Sequence, residues 1–253
     1  MNPPNRPPPR VLTVLQSTKI TPNFQRVTLG GDGLSDFPAG QEGGYVKLRL
    51  PAAEGKMAVR TYTIRAQRAD AFDIDFALHA ETESGHAGPA TDWALSARPG
   101  DSIEVGGPGP AKPLPPGHAF YLLAGDMTAL PAIAVNLAML PADAAGHAVI
   151  EVMSEDDRID LPRPSGVTLE YLVAPQPGVQ PEALRAALSR IDCPQQETYA
   201  WVACEFSAMK ALRTLLREER GLGPDRLYIS SYWKSGLTED AHKIAKREDA
   251  EAQ

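Results

Sequence analysis

Between residues 72 and 78 the chain alternates cleanly: Phe72, Ile74, Phe76 and Leu78 are separated by Asp73, Asp75 and Ala77. A period of two puts the apolar set on one face of a strand and the other set on the opposite face. Segments of similar grammar lie at 11–20, 24–29, 45–50, 61–67 and 102–106, so with 72–79 six strands are predicted before residue 107. Stretches rich in Gly, Pro and Asp, such as GGDGLSDFPAG at 30–40, punctuate them, and one helical stretch, 90–97, interrupts them. Short strands at this spacing predict a barrel or a sandwich.

The pattern changes after residue 117. Near-continuous apolar runs at 119–125, 147–153, 167–174, 198–204 and 226–232 alternate with helical periodicity at 129–140, 181–191 and 207–220. That alternation predicts a parallel, doubly wound sheet, whose ligands bind beyond the carboxyl ends of its strands. Between the two grammars, residues 107–117 hold five prolines in eleven positions, which suits a stiff linker and no regular element. The expected organisation is a proline-rich tail (1–10), a β-barrel (11–107), a linker (108–117) and an α/β domain (118–253) ending in a basic helix.

Composition narrows the chemistry. The N-terminus carries five prolines in its first nine residues and no apolar core, so it reads as a disordered tail and not as a secretory signal. No apolar run approaches the roughly 18–20 residues of a membrane helix, and a cytoplasmic protein is expected. A net charge of −7 without a Lys/Arg stripe argues against nucleic acid as a partner. Two cysteines, Cys193 and Cys204, cannot ligate a four-cysteine iron–sulfur cluster, so any electron chemistry needs an organic cofactor or a partner. Neither metal-ligand spacing nor a convincing Ser–His–Asp set is present. Without a long exposed apolar stripe, a monomer is expected.

Three segments carry candidate chemistry. Arg60-Thr61-Tyr62-Thr63-Ile64-Arg65 opens a barrel strand and places Arg60 and Tyr62 on one face, Thr61 and Thr63 on the other. A flavin dinucleotide needs a cation for its pyrophosphate, an aromatic surface and hydroxyl or backbone donors, and this hexapeptide supplies all three; the alternative is an edge strand with solvated arginines. Next, Gly88-Pro89-Ala90-Thr91 leads into a helix, whose free N–H groups and positive dipole end suit a phosphate. His79 ends the alternating strand; its alternative is a loop histidine without a role. The third segment, Gly125-Asp126-Met127-Thr128-Ala129, forms the first strand-to-helix turn of the α/β domain, where such domains receive a dinucleotide. It lacks G-x-G-x-x-G, and the alternative for Asp126 and Thr128 is a role only as helix caps.

Together with DIDFALH, GPATDWA, ARPGDSIEVGGP, AGDMTALPAIA, the Ala203-Cys204-Glu205 strand end, REERGL and LYISSYWKSG, the RTYTIR strand resembles the siderophore-interacting protein family over most of the chain. That family comprises FAD-dependent ferric-siderophore reductases. The resemblance implies a ferredoxin-reductase-like fold, with a six-stranded Greek-key FAD-binding barrel and an NAD(P)H-binding α/β domain. Carried over, Arg60, Tyr62 and Thr63 hold the flavin and His79 flanks it. Gly88, Pro89, Ala90 and Thr91 hold the pyrophosphate, and Asp126, Thr128 and Ala129 lie near the flavin. Cys204 departs from the glycine frequent in relatives, and no redox role is assigned to it. The implied reaction passes hydride from a nicotinamide nucleotide to FAD, then electrons to siderophore-bound Fe(III). Lys47 and Lys234 lead as docking cations for an anionic ferric chelate, followed by Lys243, Lys246 and Arg247, for which a solvated helix face is the alternative. Trp233 lies at the flavin or packs in the core or rim. The acids Glu155, Asp156 and Asp157 after the second α/β strand favour NADH over NADPH, an argument blunted by Arg158. Rival readings are a flavin reductase paired with ferredoxin and a siderophore-binding flavoprotein without catalysis.

Overall fold

In the computed structural model, residues 8–52, 57–78, 88–194 and 196–251 are described. The chain divides into two compact units between Ala111 and Lys112.

In the first unit, β1 (Arg10–Thr21), β2 (Phe24–Gly30), β3 (Tyr45–Pro51), β4 (Met57–Gln67), β5 (Ala71–Ala77) and β6 (Ser102–Gly109) close an antiparallel barrel in the order β1-β2-β5-β4-β3-β6. The β5 strand sits beside β2 while β3 and β4 fill in behind it, a Greek-key path. Its interior is packed by the apolar half of the alternation, including Leu12, Val27, Leu48, Ile64, Phe72, Ile74 and Phe76. Asp73 and Asp75, on the other face of β5, are buried as well. Arg26 binds Asp75 through two hydrogen bonds (2.6 and 2.8 Å), and Arg68 binds Asp73 in the same way (2.9 and 2.6 Å). Bidentate pairs of this kind offset the cost of withdrawing carboxylates from water. The helix α1 (Pro89–Ser96) packs against β2, β3 and β5.

In the second unit, β7 (Phe120–Asp126), α2 (Leu130–Met139), β8 (Ala145–Val152), β9 (Gly166–Val173), α3 (Glu182–Ser189), β10 (Thr198–Glu205), α4 (Phe206–Arg213), β11 (Leu227–Trp233) and α5 (Glu239–Glu251) follow in order. All five strands are parallel, in the order β11-β10-β7-β8-β9. The order reverses between β7 and β10, and the carboxyl ends of that pair form the crevice where such sheets take ligands. Leu122, Ala124, Val149, Ala200, Val202 and Cys204 face α3 and α4. The opposite face meets α2: a Cβ at Gly125 would lie 3.0 Å from Ile133. The helix expected over 207–220 is α4 followed by a π-helical stretch, Thr214–Glu219. The proline-rich segment is strapped to this sheet at its C-terminal end, because Trp201 and Asn136 donate to the Lys112 carbonyl and Tyr121 to that of Pro115.

Candidate functional site

Within the barrel, the register pairs Lys47 with Thr61, Val46 with Tyr62 and Leu48 with Arg60. Directly paired residues share a face, so Arg60 and Tyr62 lie on the side of the buried Val46 and Leu48, and Thr61 and Thr63 lie on the side of Tyr45 and Lys47. The Tyr62 ring packs on Phe76 (centroids 4.3 Å apart), and Phe76 packs on Trp93 of α1 (5.7 Å). This aromatic ladder ties the arginine strand to the helix. Arg60 makes one hydrogen bond, from Nη1 to the Val59 carbonyl (2.9 Å), and pairs with no acid among the described residues. Its guanidinium therefore keeps most of its donors for another acceptor.

The helix begins at Gly88, whose φ of 91° is a left-handed value that favours glycine, and an added Cβ there would meet nothing within 4 Å. Pro89 occupies the first helical position, where its missing N–H costs nothing. The first helical hydrogen bond runs from the Asp92 N–H to the Gly88 carbonyl, so the N–H groups of Ala90 and Thr91 precede it and face the open end. Among the described residues no side chain caps them. Thr91 itself is buried against the barrel. Glycine-opened space, uncapped amides and an uncommitted guanidinium fit a diphosphate; the Tyr62 face suits a planar ring. His79 lies outside the described residues.

In the α/β unit, Asp126 ends β7 and is the hub of the crevice. Its Oδ1 accepts from the Thr128 N–H (2.9 Å) and hydroxyl (2.5 Å). Its Oδ2 accepts from the Glu205 N–H and the Trp233 indole N–H (2.8 Å each). One carboxylate thus locks the ends of β7, β10 and β11 together. Ala129 is fully buried, and its N–H closes the turn on the Asp126 carbonyl. Glu205 caps α4, accepting from the Ser207 and Ala208 N–H groups, and its other oxygen accepts from the Ser235 N–H (3.2 Å). The loop after β9 lies over this hub: a Cβ on Gly178 would sit 3.1 Å from the Trp233 ring and 3.2 Å from Glu205.

Two features escaped the sequence reading. Glu205 was visible only as a strand end, since glutamate is not a favoured cap. Glu151, inside the apolar run of β8, is 8% exposed. Burial, with the negative Asp126 and Glu205 nearby, pushes its carboxyl up to about 7. The signal for it was a lone acid in AVIEVM. Of the acids after β8, Asp157 is fully buried and accepts from the Ser154 hydroxyl (2.8 Å), while Glu155 pairs with Arg158 (2.8 Å). Cys204 is fully buried, and desolvation raises its thiol well above the usual range.

The basic residues differ in their commitments. Lys47 projects from the outer side of β3, and the Lys234 ammonium lies 4.5 Å from the centre of the Phe206 ring. Lys243 pairs with Glu239 (3.0 Å). Lys246 turns its ammonium back onto β11, donating to the Ser230 hydroxyl (2.7 Å) and the Ser231 carbonyl (3.2 Å), and burial lowers its pKa. Arg247 is exposed on α5. Beside Lys246, the buried His242 and Ser231 share a 2.8 Å hydrogen bond that fastens the same helix.

Known proteins resemble this chain in sequence and in fold. Residues 118–236 match the model of the siderophore-interacting protein family, and residues 13–59 and 49–112 match its siderophore-interacting FAD-binding domain. Ferric vibriobactin reductase ViuB of Vibrio cholerae is 33% identical over 256 residues, covering 92% of each chain. The NADPH-dependent ferric-chelate reductase of Escherichia coli is 26% identical, over 88% of this chain and 92% of its own. Among solved structures, the siderophore-interacting protein SipS of Aeromonas hydrophila superposes with a TM-score of 0.84 at 33% identity, covering 96% and 98% of the two chains. A ferredoxin-NADP+ reductase of Plasmodium falciparum shares the fold alone, with a TM-score of 0.67 at 13% identity, over 90% of this chain and 99% of its own. The architecture is ferredoxin-reductase-like, and the chain belongs to the siderophore-interacting protein family.

Proposed function

We propose that this protein is a ferric-siderophore reductase that binds FAD on its barrel and a nicotinamide nucleotide on its α/β unit. The observation that carries the reading is the ladder Tyr62–Phe76–Trp93, which joins, within one small barrel, an arginine strand and a helix start that are uncommitted and uncapped among the described residues. Arg60 and the Ala90 and Thr91 amides would hold the FAD diphosphate, Gly88 and Pro89 would shape that seat, and the Tyr62 ring and the Thr63 backbone would meet the flavin ring. His79 remains assigned beside it. When bound, FAD supplies acceptance of hydride from NADH or NADPH and delivery of single electrons to Fe(III).

The chain's own part is binding and orientation. Asp126 and Thr128 build the turn at the switch point, and Ala129 and Trp233 pack it, so the nucleotide would meet a turn already rigid before binding. The iron is substrate: hard anionic oxygen donors suit Fe(III) far better than Fe(II), so reduction loosens the chelate. Lys47, Lys234 and Arg247 would draw in the anionic complex by charge alone; Lys243 and Lys246 join them less, since each ammonium already has a partner. With Glu155 and Asp157 engaged locally, Asp156 is the acid left to favour NADH. We place the reaction in the cytoplasm, where reduced nicotinamide nucleotides are made, and in a monomer.

Steady-state turnover tests this. Purified protein supplied with FAD, NADH or NADPH, a ferric hydroxamate and a ferrous chelator should accumulate Fe(II) well above a protein-free control. No Fe(II) above that control with either nucleotide would reject the reading.

A further inference from the structure

Three carboxyl groups converge at the carboxyl edge of the α/β sheet, and two of them are fully committed. Every acceptor direction of Asp126 meets an N–H or O–H, and Glu205 holds three backbone amides. Both therefore spend their oxygens on N–H and O–H donors. Glu151 differs. The β7–β8 register sets it directly beside Asp126, on the sheet face shared with Cys204. It is more than nine-tenths buried, and among the described residues no donor reaches it. Its neighbour on β9 is the apolar Leu172. The charges acting on it, Asp126 on β7 and Glu205 at the end of β10, are both negative, and the Cys204 thiol of β10 keeps its proton. A third negative charge here has little water and, among the described residues, no partner to stabilise it.

We propose that Glu151 gates the nucleotide site of the α/β unit: a dinucleotide binds to the form in which Glu151 carries a proton, and binding above neutrality takes one up. This rests on the reading of that unit as nucleotide-binding. The physical reason is that a dinucleotide brings two phosphate charges and displaces water from the crevice, which strengthens repulsion from an ionised Glu151. A carboxyl pushed up to about 7 puts the effect in the physiological range. By reciprocity, whatever proton occupancy does for the nucleotide, the nucleotide does for the proton.

The test titrates FAD-loaded protein with NAD+ and with NADP+, which bind without hydride transfer, from pH 6 to 8.5. Calorimetry in buffers of different ionisation enthalpy counts protons. For wild type the Kd should be flat near pH 6 and rise above pH 7, approaching about tenfold per pH unit, with close to one proton taken up at pH 8. Glu151→Gln, neutral and of the same shape, should bind with one Kd across the range and without that uptake. His242 and Lys246 remain in both proteins, so their titration cancels in the comparison. Wild-type binding without pH dependence or proton uptake would overturn the proposal, as would an unchanged slope in E151Q. The wild-type proton count needs no variant to fold. Failure to bind either nucleotide at any pH would overturn the nucleotide-binding reading as well, a result distinct from pH-independent binding.

Discussion

Arg60 and Lys47 lie on neighbouring strands but are expected to fail differently when removed. Among the described residues Arg60 spends one donor on the Val59 carbonyl and keeps the rest of its guanidinium, so Arg60→Ala should weaken FAD binding by about 10- to 100-fold, the worth of a charge-assisted hydrogen bond of roughly 1.5–3 kcal/mol. The check is the flavin-to-protein absorbance ratio after gel filtration; full occupancy in the variant would remove Arg60 from the cofactor site. Lys47→Ala should leave that ratio intact and raise the KM for an anionic ferric chelate a few-fold at low salt, with the difference shrinking as salt screens the charge. An unchanged KM at low salt would exclude Lys47 from docking. Glu151 makes a prediction about folding. Its carboxyl is raised from 4.5 to about 7, so the folded state holds the proton more tightly than the unfolded chain. Stability should therefore fall as pH rises from about 4.5 to 7, by up to about 3 kcal/mol at about 1.4 kcal/mol per unit, and stay low above that. Glu151→Gln should raise the urea midpoint at pH 8 and leave it nearly unchanged at pH 4.5; equal midpoints at pH 8 would contradict the buried, unpartnered carboxyl.

At the scale of elements, the start of α1 is the most exacting local structure. Gly88→Ala would put a side chain at φ 91°, costing about 1–3 kcal/mol, and would disturb the turn that aims the Ala90 and Thr91 amides. FAD affinity should drop more than thermal stability does, which paired flavin titration and melting curves would show; an equal-affinity variant would mean that the open end holds no phosphate. Much of this was legible in the chain. The alternation of Phe72, Ile74 and Phe76 announced β5, and the Gly-Pro-Ala-Thr step announced a helix start that the structure places on Pro89. The tertiary use of the polar residues was not legible. Nothing local says that Asp73 and Asp75 are buried against Arg68 and Arg26, residues 5 and 49 positions away. Nor does the Gly125-Asp126 turn reveal that its carboxylate reaches an indole 107 positions on, or that Lys246 points inward from a helix that looks solvated. Periodicity reports which face is buried; it carries no information on which distant donor a buried acid will meet.

For the molecule as a whole, each unit has its own apolar core, and the proposed ligands divide between them. FAD should stabilise the barrel, and a concentration 100 times its Kd is worth about 2.7 kcal/mol to the unit that binds it. The central claim joins the two units in one electron path, and an anaerobic absorbance titration tests it most directly. FAD-loaded protein is titrated with NADH and, separately, with NADPH, then with a ferric hydroxamate siderophore in the presence of a ferrous chelator. The account predicts bleaching of the flavin band by at least one nucleotide, then its return as Fe(II) is captured, about two Fe(II) per flavin because hydride carries two electrons. A flavin band that neither nucleotide bleaches, or a bleached band that the ferric chelate does not restore, would contradict it.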